Sequence, residues 1–153
     1  MSDRARIKGH IVTRTVRLEA SRASVWKSLT DPEVMVKWFG DGVRFAALEP
    51  GATGSIDWDG YGSFPIEITE VVPESSFGFR WSGIPAEELD EYSTHVRFTI
   101  SDAGTGTDVT VIESGFDTLP GGTRYRRERL EQNREGWDVE LDELALLFKG
   151  VTE

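Results

Sequence analysis

Aromatic side chains recur at every second position of several extended segments of this sequence. On strands, this spacing places the following residues on one face of a sheet: Trp58, Phe64, Phe79, Trp81 and Phe98. Trp137 and Leu141 share one face of a downstream helical segment that would oppose this sheet. Aromatic walls suit a planar or lipid-like ligand, but they also fill ordinary cores, so the pattern leaves both interpretations open.

Two charged residues occupy apolar positions of their strands. Arg14 shares a face with Val12 and Val16 in the first strand, and Glu113 shares a face with Val111 in the last. If this face is buried, the charges need partners and are candidate anchors for the polar end of a ligand. If the opposite face is buried, they form an exposed ion pair worth at most about 1 kcal/mol.

Candidates for acid–base or metal chemistry are few. His95, Tyr61 and Glu113 are the nearest candidates for a general acid or base, although a histidine at the start of a strand is commonly a surface residue. Asp57 and Asp59 have a spacing that could hold a hard cation, but a third and a fourth ligand are missing. The chain lacks nucleophile-elbow, phosphate-loop and dinucleotide signatures, so we expect neither a metal site nor a cofactor.

Composition limits the classes of partner. The 153 residues include 17 Lys and Arg against 27 Asp and Glu, a net charge of −10, which disfavours binding to nucleic acid or to a membrane surface. The absence of cysteine excludes disulfides and thiolate chemistry. Residues 1–10 lack the apolar core of a signal peptide, and no segment reaches the roughly 20 apolar residues of a membrane span. We therefore expect a soluble, cytoplasmic protein.

The residue periodicity predicts one strand, two short helices, six further strands and a long helix. The predicted strands cover residues 11–18, 43–48, 54–58, 63–72, 77–81, 96–100 and 108–114. Ser21 and the pair Asp31-Pro32 are start signals for the two short helices, the second of which should run to about Phe39. Antiparallel strands joined mostly by short turns predict an α+β fold.

The long helix is predicted over residues 123–149, and Gly150 suits its end. Gly136 interrupts it at a cost of roughly 1 kcal/mol relative to alanine, so we expect a close neighbour that needs the missing side chain. In the first half, acidic residues alternate with arginines, namely Arg124, Arg126, Arg127, Arg129 and Arg134. This alternation predicts a solvated face with ion pairs between residues four apart.

Several short motifs together resemble one known family. The chain carries Val25-Trp26, Leu29-Thr30-Asp31-Pro32, Trp38-Phe39, Pro50-Gly51, Gly104-Thr105-Gly106-Thr107, Glu113-Ser114-Gly115-Phe116 and Gly136-Trp137. In this order they resemble the landmarks of activator-of-heat-shock-protein-90-ATPase-like domains, and the resemblance covers residues 11–149. That family is part of the START-like, or SRPBCC, superfamily.

The resemblance implies an α+β helix-grip fold, in which a seven-stranded antiparallel sheet curves around the long C-terminal helix and leaves a hydrophobic cavity. It further implies a single domain over residues 1–153, with its core at about 11–149. In this fold the first and last strands are antiparallel neighbours, which would bring Arg14 near Glu113.

Three functions fit these observations. The favoured one is a domain that binds a small hydrophobic or amphipathic molecule in the cavity, through the aromatic residues, Trp137 and Leu141, with Arg14 and Glu113 as polar anchors. The second is a cyclase-like or hydrolase-like enzyme acting in the same cavity. The third, which the family name implies, is a module that binds a protein partner and modulates a chaperone. No residue decides the oligomeric state.

Overall fold

The computed structural model describes residues 4–149, most of which form one antiparallel sheet and one long helix. The strands are β1 (Arg6–Lys8), β2 (Ile11–Leu18), β3 (Gly42–Phe45), β4 (Thr53–Trp58), β5 (Gly62–Val72), β6 (Ser76–Ser82), β7 (Ser93–Ala103) and β8 (Gly106–Ser114). The helices are α1 (Arg22–Thr30), α2 (Pro32–Met35) and α3 (Gly122–Lys149), with a 3₁₀ turn at Phe116–Thr118. Gly150, predicted to suit the end of the long helix, lies outside the described residues.

The eight strands pair in the order β1-β2-β8-β7-β6-β5-β4-β3, and every pairing is antiparallel. The predicted α+β helix-grip fold is confirmed, including the adjacency of β2 and β8. The predicted strand number was one too low, because β1 is only three residues long and has no apolar alternation. A turn at Gly9, with φ of +63°, folds it back onto β2.

The second short helix ends earlier than predicted. After Met35 the backbone tightens, since the amides of Lys37 and Trp38 bond to carbonyls three residues earlier instead of four. Gly40, with φ of +78°, then ends the turn. Trp38 and Phe39 are both buried at this turn.

Arg14 fastens α3 to the sheet. The residue is 7% exposed, and its guanidinium donates to the carbonyl of Asp138 at 2.9 Å and to Asp142 Oδ1 at 2.7 Å. Burial works to raise the pKa of Asp142, but hydrogen bonds from Arg14 and Arg4 outweigh it and keep that pKa below its usual value. Neither α3 nor any other helix among residues 4–149 is long and apolar enough to cross a membrane.

Candidate functional site

A pocket of about 600 Å³ separates the middle of α3 from the sheet. Its sheet wall consists of Trp58 from β4, Phe64 from β5 and Trp81 from β6, and all three side chains are only half-buried. Gly136, Trp137 and Glu140 form the helix wall. The strands place these aromatic rings on the concave face, as the alternation predicted, because the sheet curls around the helix.

Three stacked rings form the floor of this pocket. The rings of Phe39, Trp81 and Trp137 form a triangle: the Phe39 centroid is 5.7 Å from that of Trp81 and 5.7 Å from that of Trp137, with planes inclined by 26° and 12°. The two indole centroids are themselves 5.8 Å apart, with planes inclined by 27°. Offset stacks of this kind add to the stability that burial alone supplies. The predicted site omitted Phe39, which lies in the turn after α2 and not in one of the alternating strand segments.

The carboxylate of Glu113 fixes the orientation of both indoles. It is 0% exposed and accepts hydrogen bonds from Trp81 Nε1 at 2.9 Å and from Trp137 Nε1 at 2.8 Å. Thr94 Oγ1 donates at 2.5 Å, and Asn133 Nδ2 donates to both carboxylate oxygens at 2.9 Å. All these donors are neutral, so Glu113 acts as the acceptor at the centre of a closed polar cluster.

The structure does not bring Arg14 and Glu113 together. Both side chains lie on the buried face, but Arg14 is opposite Val111 in the strand pairing and reaches α3, whereas Glu113 is opposite Val12 and bonds the indoles. Both predicted forms of the pair, the buried bridge and the exposed one, are therefore wrong. Neither residue lines the pocket, and each instead positions part of its wall.

Three of the predicted ligand contacts pack into the core. Phe79, Phe98 and Leu141 each have 0% of their surface exposed and lie behind the stacked rings, outside the pocket lining.

The close neighbour predicted for Gly136 is not present. A Cβ added at this position would meet no atom within 4 Å. Gly136 faces the open space of the pocket.

The predicted acid–base candidates do not converge. Tyr61 lines the pocket mouth but is 76% exposed. His95 lies on the opposite, convex face of the sheet, where its Nε2 is 2.9 Å from Thr69 Oγ1. Burial lowers the pKa of His95, although the nearby Glu70 acts in the opposite direction. These two residues and the fully bonded Glu113 therefore do not form a catalytic group.

Glu140 is the titratable group that sequence reasoning missed. It lines the pocket one turn after Gly136, and burial raises its pKa to about 7, with Glu143 and Asp41 adding repulsion. A carboxyl group whose pKa is strongly raised inside a concave site is a functional-site candidate. Glu140 follows Trp137 by three residues, and this spacing places both on one face of the helix, so the sequence did contain a signal for it.

Glu140→Gln is expected to stabilise the protein by about 1 to 2 kcal/mol at pH 8, a figure discounted for partial exposure. The folded protein holds this proton more tightly than the unfolded chain does, so stability falls as pH rises from 4.5 to about 7. Most of this gain in stability over the wild-type protein should therefore disappear at pH 5. Urea unfolding at pH 8 and at pH 5 measures the free energy of unfolding of both proteins. Glu135→Gln, at a rim position that is 74% exposed, is the control and should change stability by less than about 0.5 kcal/mol at either pH.

A second concavity, of about 660 Å³, lies on the convex side of the sheet. It is lined by backbone of β4 and β5, by Arg44 and Glu67, and by the acidic segment that contains Glu87 and Glu88. None of its lining residues is aromatic, so it offers a ligand little apolar surface. The concave pocket, though slightly smaller, is the better candidate site.

The comparisons with known proteins agree with this architecture. A family model described as "Activator of Hsp90 ATPase homolog 1-like protein" matches residues 19–149. No curated protein matches the chain. The chain is similar to DynU16, from the dynemicin biosynthetic locus, with 26% identity and a TM-score of 0.72 over 93% of this chain and 48% of that one. It thus spans about half the length of DynU16.

Two further solved structures share the fold at lower identity. Protein MLL2253 from Mesorhizobium loti is 20% identical, with a TM-score of 0.75 over 91% of this chain and 96% of that chain. The Aha1 dimer from Colwellia psychrerythraea is 18% identical, with a TM-score of 0.72 over 90% of this chain and 95% of that chain.

Proposed function

The chain belongs to the activator of Hsp90 ATPase homolog 1-like family, and from this premise we propose that it binds a small hydrophobic or amphipathic molecule between the sheet and α3. The observation that carries the proposal is the pocket of about 600 Å³ with half-buried aromatic walls. That volume is typical of small-molecule sites, which bury most of a ligand against apolar and aromatic side chains. We also propose that it acts as a single, cytoplasmic domain.

The rigidity of the walls supports this proposal. Trp81 keeps part of its ring exposed to the pocket while its indole nitrogen is held by Glu113 and Thr94. The stacked Phe39 and Trp137 restrain the same ring from the other side. A wall fixed before binding costs little side-chain entropy when the ligand arrives, and this raises the affinity that a given buried area supplies.

A thermal-shift screen against lipids, flavonoids, polyketides and other hydrophobic metabolites tests the proposal. A ligand present at 100 times its Kd should stabilise the protein by about 2.7 kcal/mol. Trp58→Ala should remove this response because it deletes one pocket wall. Trp26→Ala is the matched control, since Trp26 is also a half-buried tryptophan but packs on Phe77, outside the pocket lining. A flat response across the panel, or equal loss in both variants, would contradict the proposal.

Glu140 supports a second candidate, an enzyme that acts on the bound molecule. A carboxyl group with a pKa of about 7 is suited to give or take a proton near neutral pH. Compounds that bind should then be converted by the wild-type protein, and Glu140→Gln should still bind them but not convert them. Mass spectrometry of the incubated compounds decides between the two candidates. The chaperone-modulating function stays a prediction, because the likeness to the Aha1 dimer supports only the fold.

A further inference from the structure

Arg129 is a buried cation without an acidic partner among residues 4–149. Its side chain is 6% exposed, although the charge pattern of α3 placed it on a solvated face. That prediction holds for Arg124, which pairs with Glu128 at 3.4 Å, but is wrong for Arg129. Among residues 4–149 the guanidinium has one hydrogen bond, from Nη1 to the hydroxyl of Tyr125 at 3.4 Å, and no carboxylate pairs with it.

Arg14, the other buried arginine described on the concave side, is fully paired and serves for comparison. Arg14, 7% exposed, has Asp142 at 2.7 Å and the carbonyl of Asp138 at 2.9 Å. A guanidinium carries five N–H donors, and a buried charge is strongly unfavourable unless it is paired and hydrogen-bonded. Asn133, one helical turn after Arg129, binds the buried carboxylate of Glu113, and the donors to that carboxylate are all neutral. Arg129 therefore retains unused capacity to bind an anion.

The guanidinium lies at the wall of a small compartment of about 110 Å³ that adjoins the main pocket. The compartment and the pocket share Trp58, Phe64, Trp81 and Asn133. On its far side the guanidinium covers the backbone of Gly83, where an added Cβ would stand 2.1 Å from Nη1. A larger residue at position 83 would displace the guanidinium from this place. The compartment has room for a group of carboxylate size.

Arg129 is also the best available donor in this compartment. Ser82 Oγ already donates to the carbonyl of Ile84 at 2.7 Å, and Asn133 Nδ2 is engaged by both oxygens of Glu113. The indole nitrogen of Trp81 is likewise engaged by Glu113 and Thr94. An oxyanion that enters here therefore meets one strong donor, and charge-assisted hydrogen bonds of this type are the stronger class.

We infer that Arg129 forms an anion-binding subsite and that the ligand of the pocket is an aromatic or hydrophobic molecule with a carboxylate, or a similar oxyanion, at one end. This inference rests on the proposed function, since it names the chemical class that the pocket binds. The acidic residue Glu140 lies roughly 16 Å further along the helix axis, beyond the range at which exposed charges interact at physiological salt. The ligand is thus oriented, with its acid group at Arg129 and its apolar body over Trp58 and Trp81.

Three probes with one ring system and side chains of similar length test the inference: 2-naphthylacetate, 2-(2-naphthyl)ethanol and 2-(2-naphthyl)ethylamine. Titrations followed by the indole N–H resonances of the ¹⁵N-labelled protein give each dissociation constant. We expect the acetate to bind about tenfold or more tightly than the alcohol, because a charged hydrogen bond is gained. Arg129→Gln should weaken binding of the acetate more than that of the alcohol and so remove this preference, and Arg129→Lys should restore part of it.

The outcomes separate the inference from the proposed function. If the alcohol binds as well as the acetate, or the amine binds best, the anion subsite is overturned while ligand binding stands. If no probe binds and the metabolite screen is also flat, the proposed function fails and the inference fails with it. Should Arg129→Gln not fold, the comparison of the three probes on the wild-type protein still decides the question.

Discussion

Glu113→Leu is expected to lower the free energy of unfolding by about 3 to 4 kcal/mol, the largest effect on stability that we expect from a single residue of the site. The substitution leaves the indole nitrogens of Trp81 and Trp137, the hydroxyl of Thr94 and the amide of Asn133 without their shared acceptor. A buried donor left unsatisfied costs about 1 to 3 kcal/mol, partly offset here because an apolar side chain replaces a buried polar group. Urea denaturation measures the change.

Glu70→Leu is the matched control for this substitution. Glu70 also accepts several hydrogen bonds, from Arg97 at 3.0 Å and from Ser76, but it lies on the convex face and 30% of its side chain is exposed. Because water can replace these hydrogen bonds, we expect Glu70→Leu to lower the free energy of unfolding by no more than about 1 kcal/mol. The two indole N–H resonances should also move in Glu113→Leu and stay in place in Glu70→Leu. Equal costs for both variants would contradict the role of Glu113 as the centre of the cluster.

The strands and their inward faces were readable from the sequence because alternation in a strand is a local property. Trp58, Phe64 and Trp81 were placed correctly by counting every second residue. The partners of Glu113 were not readable in this way. They come from β6, β7 and α3, and the rotation and height of α3 over the sheet decide which side chains meet. Periodicity within one element carries no information on that relation.

The same limit explains the errors on the long helix. Helical spacing identified the face with Trp137 and Leu141. It does not show which turns of that face contact the sheet and which are separated from it by the pocket. At Leu141 the helix is packed, and at Gly136 it borders empty space. Arg129 looked like one member of a charged surface because acidic residues and arginines alternate around it in the sequence, yet its own side chain is covered by the loop at Gly83.

Gly136→Phe is expected to reduce ligand binding by on the order of a hundredfold, the largest effect on binding that we expect from a substitution that deletes no contact. An added Cβ meets no atom within 4 Å, so the ring can grow into the pocket and occupy the space between α3 and Trp81. Burying the apolar surface of a ligand that fits this pocket supplies several kcal/mol of binding free energy, and a blocked pocket loses that contribution. Titration with any compound that stabilises the wild-type protein measures the loss.

Gly136→Ala separates occupation of the pocket from the effect on the helix. Alanine should raise the free energy of unfolding by about 1 kcal/mol, because it favours the helix and has open space around its Cβ. Its binding should remain close to that of the wild-type protein, since a methyl group fills little of about 600 Å³. A destabilised alanine variant would mean that the glycine has a close neighbour after all. A phenylalanine variant that binds normally would place the ligand elsewhere. Position 136 therefore tolerates a methyl group, and only a side chain large enough to fill the pocket should block the ligand.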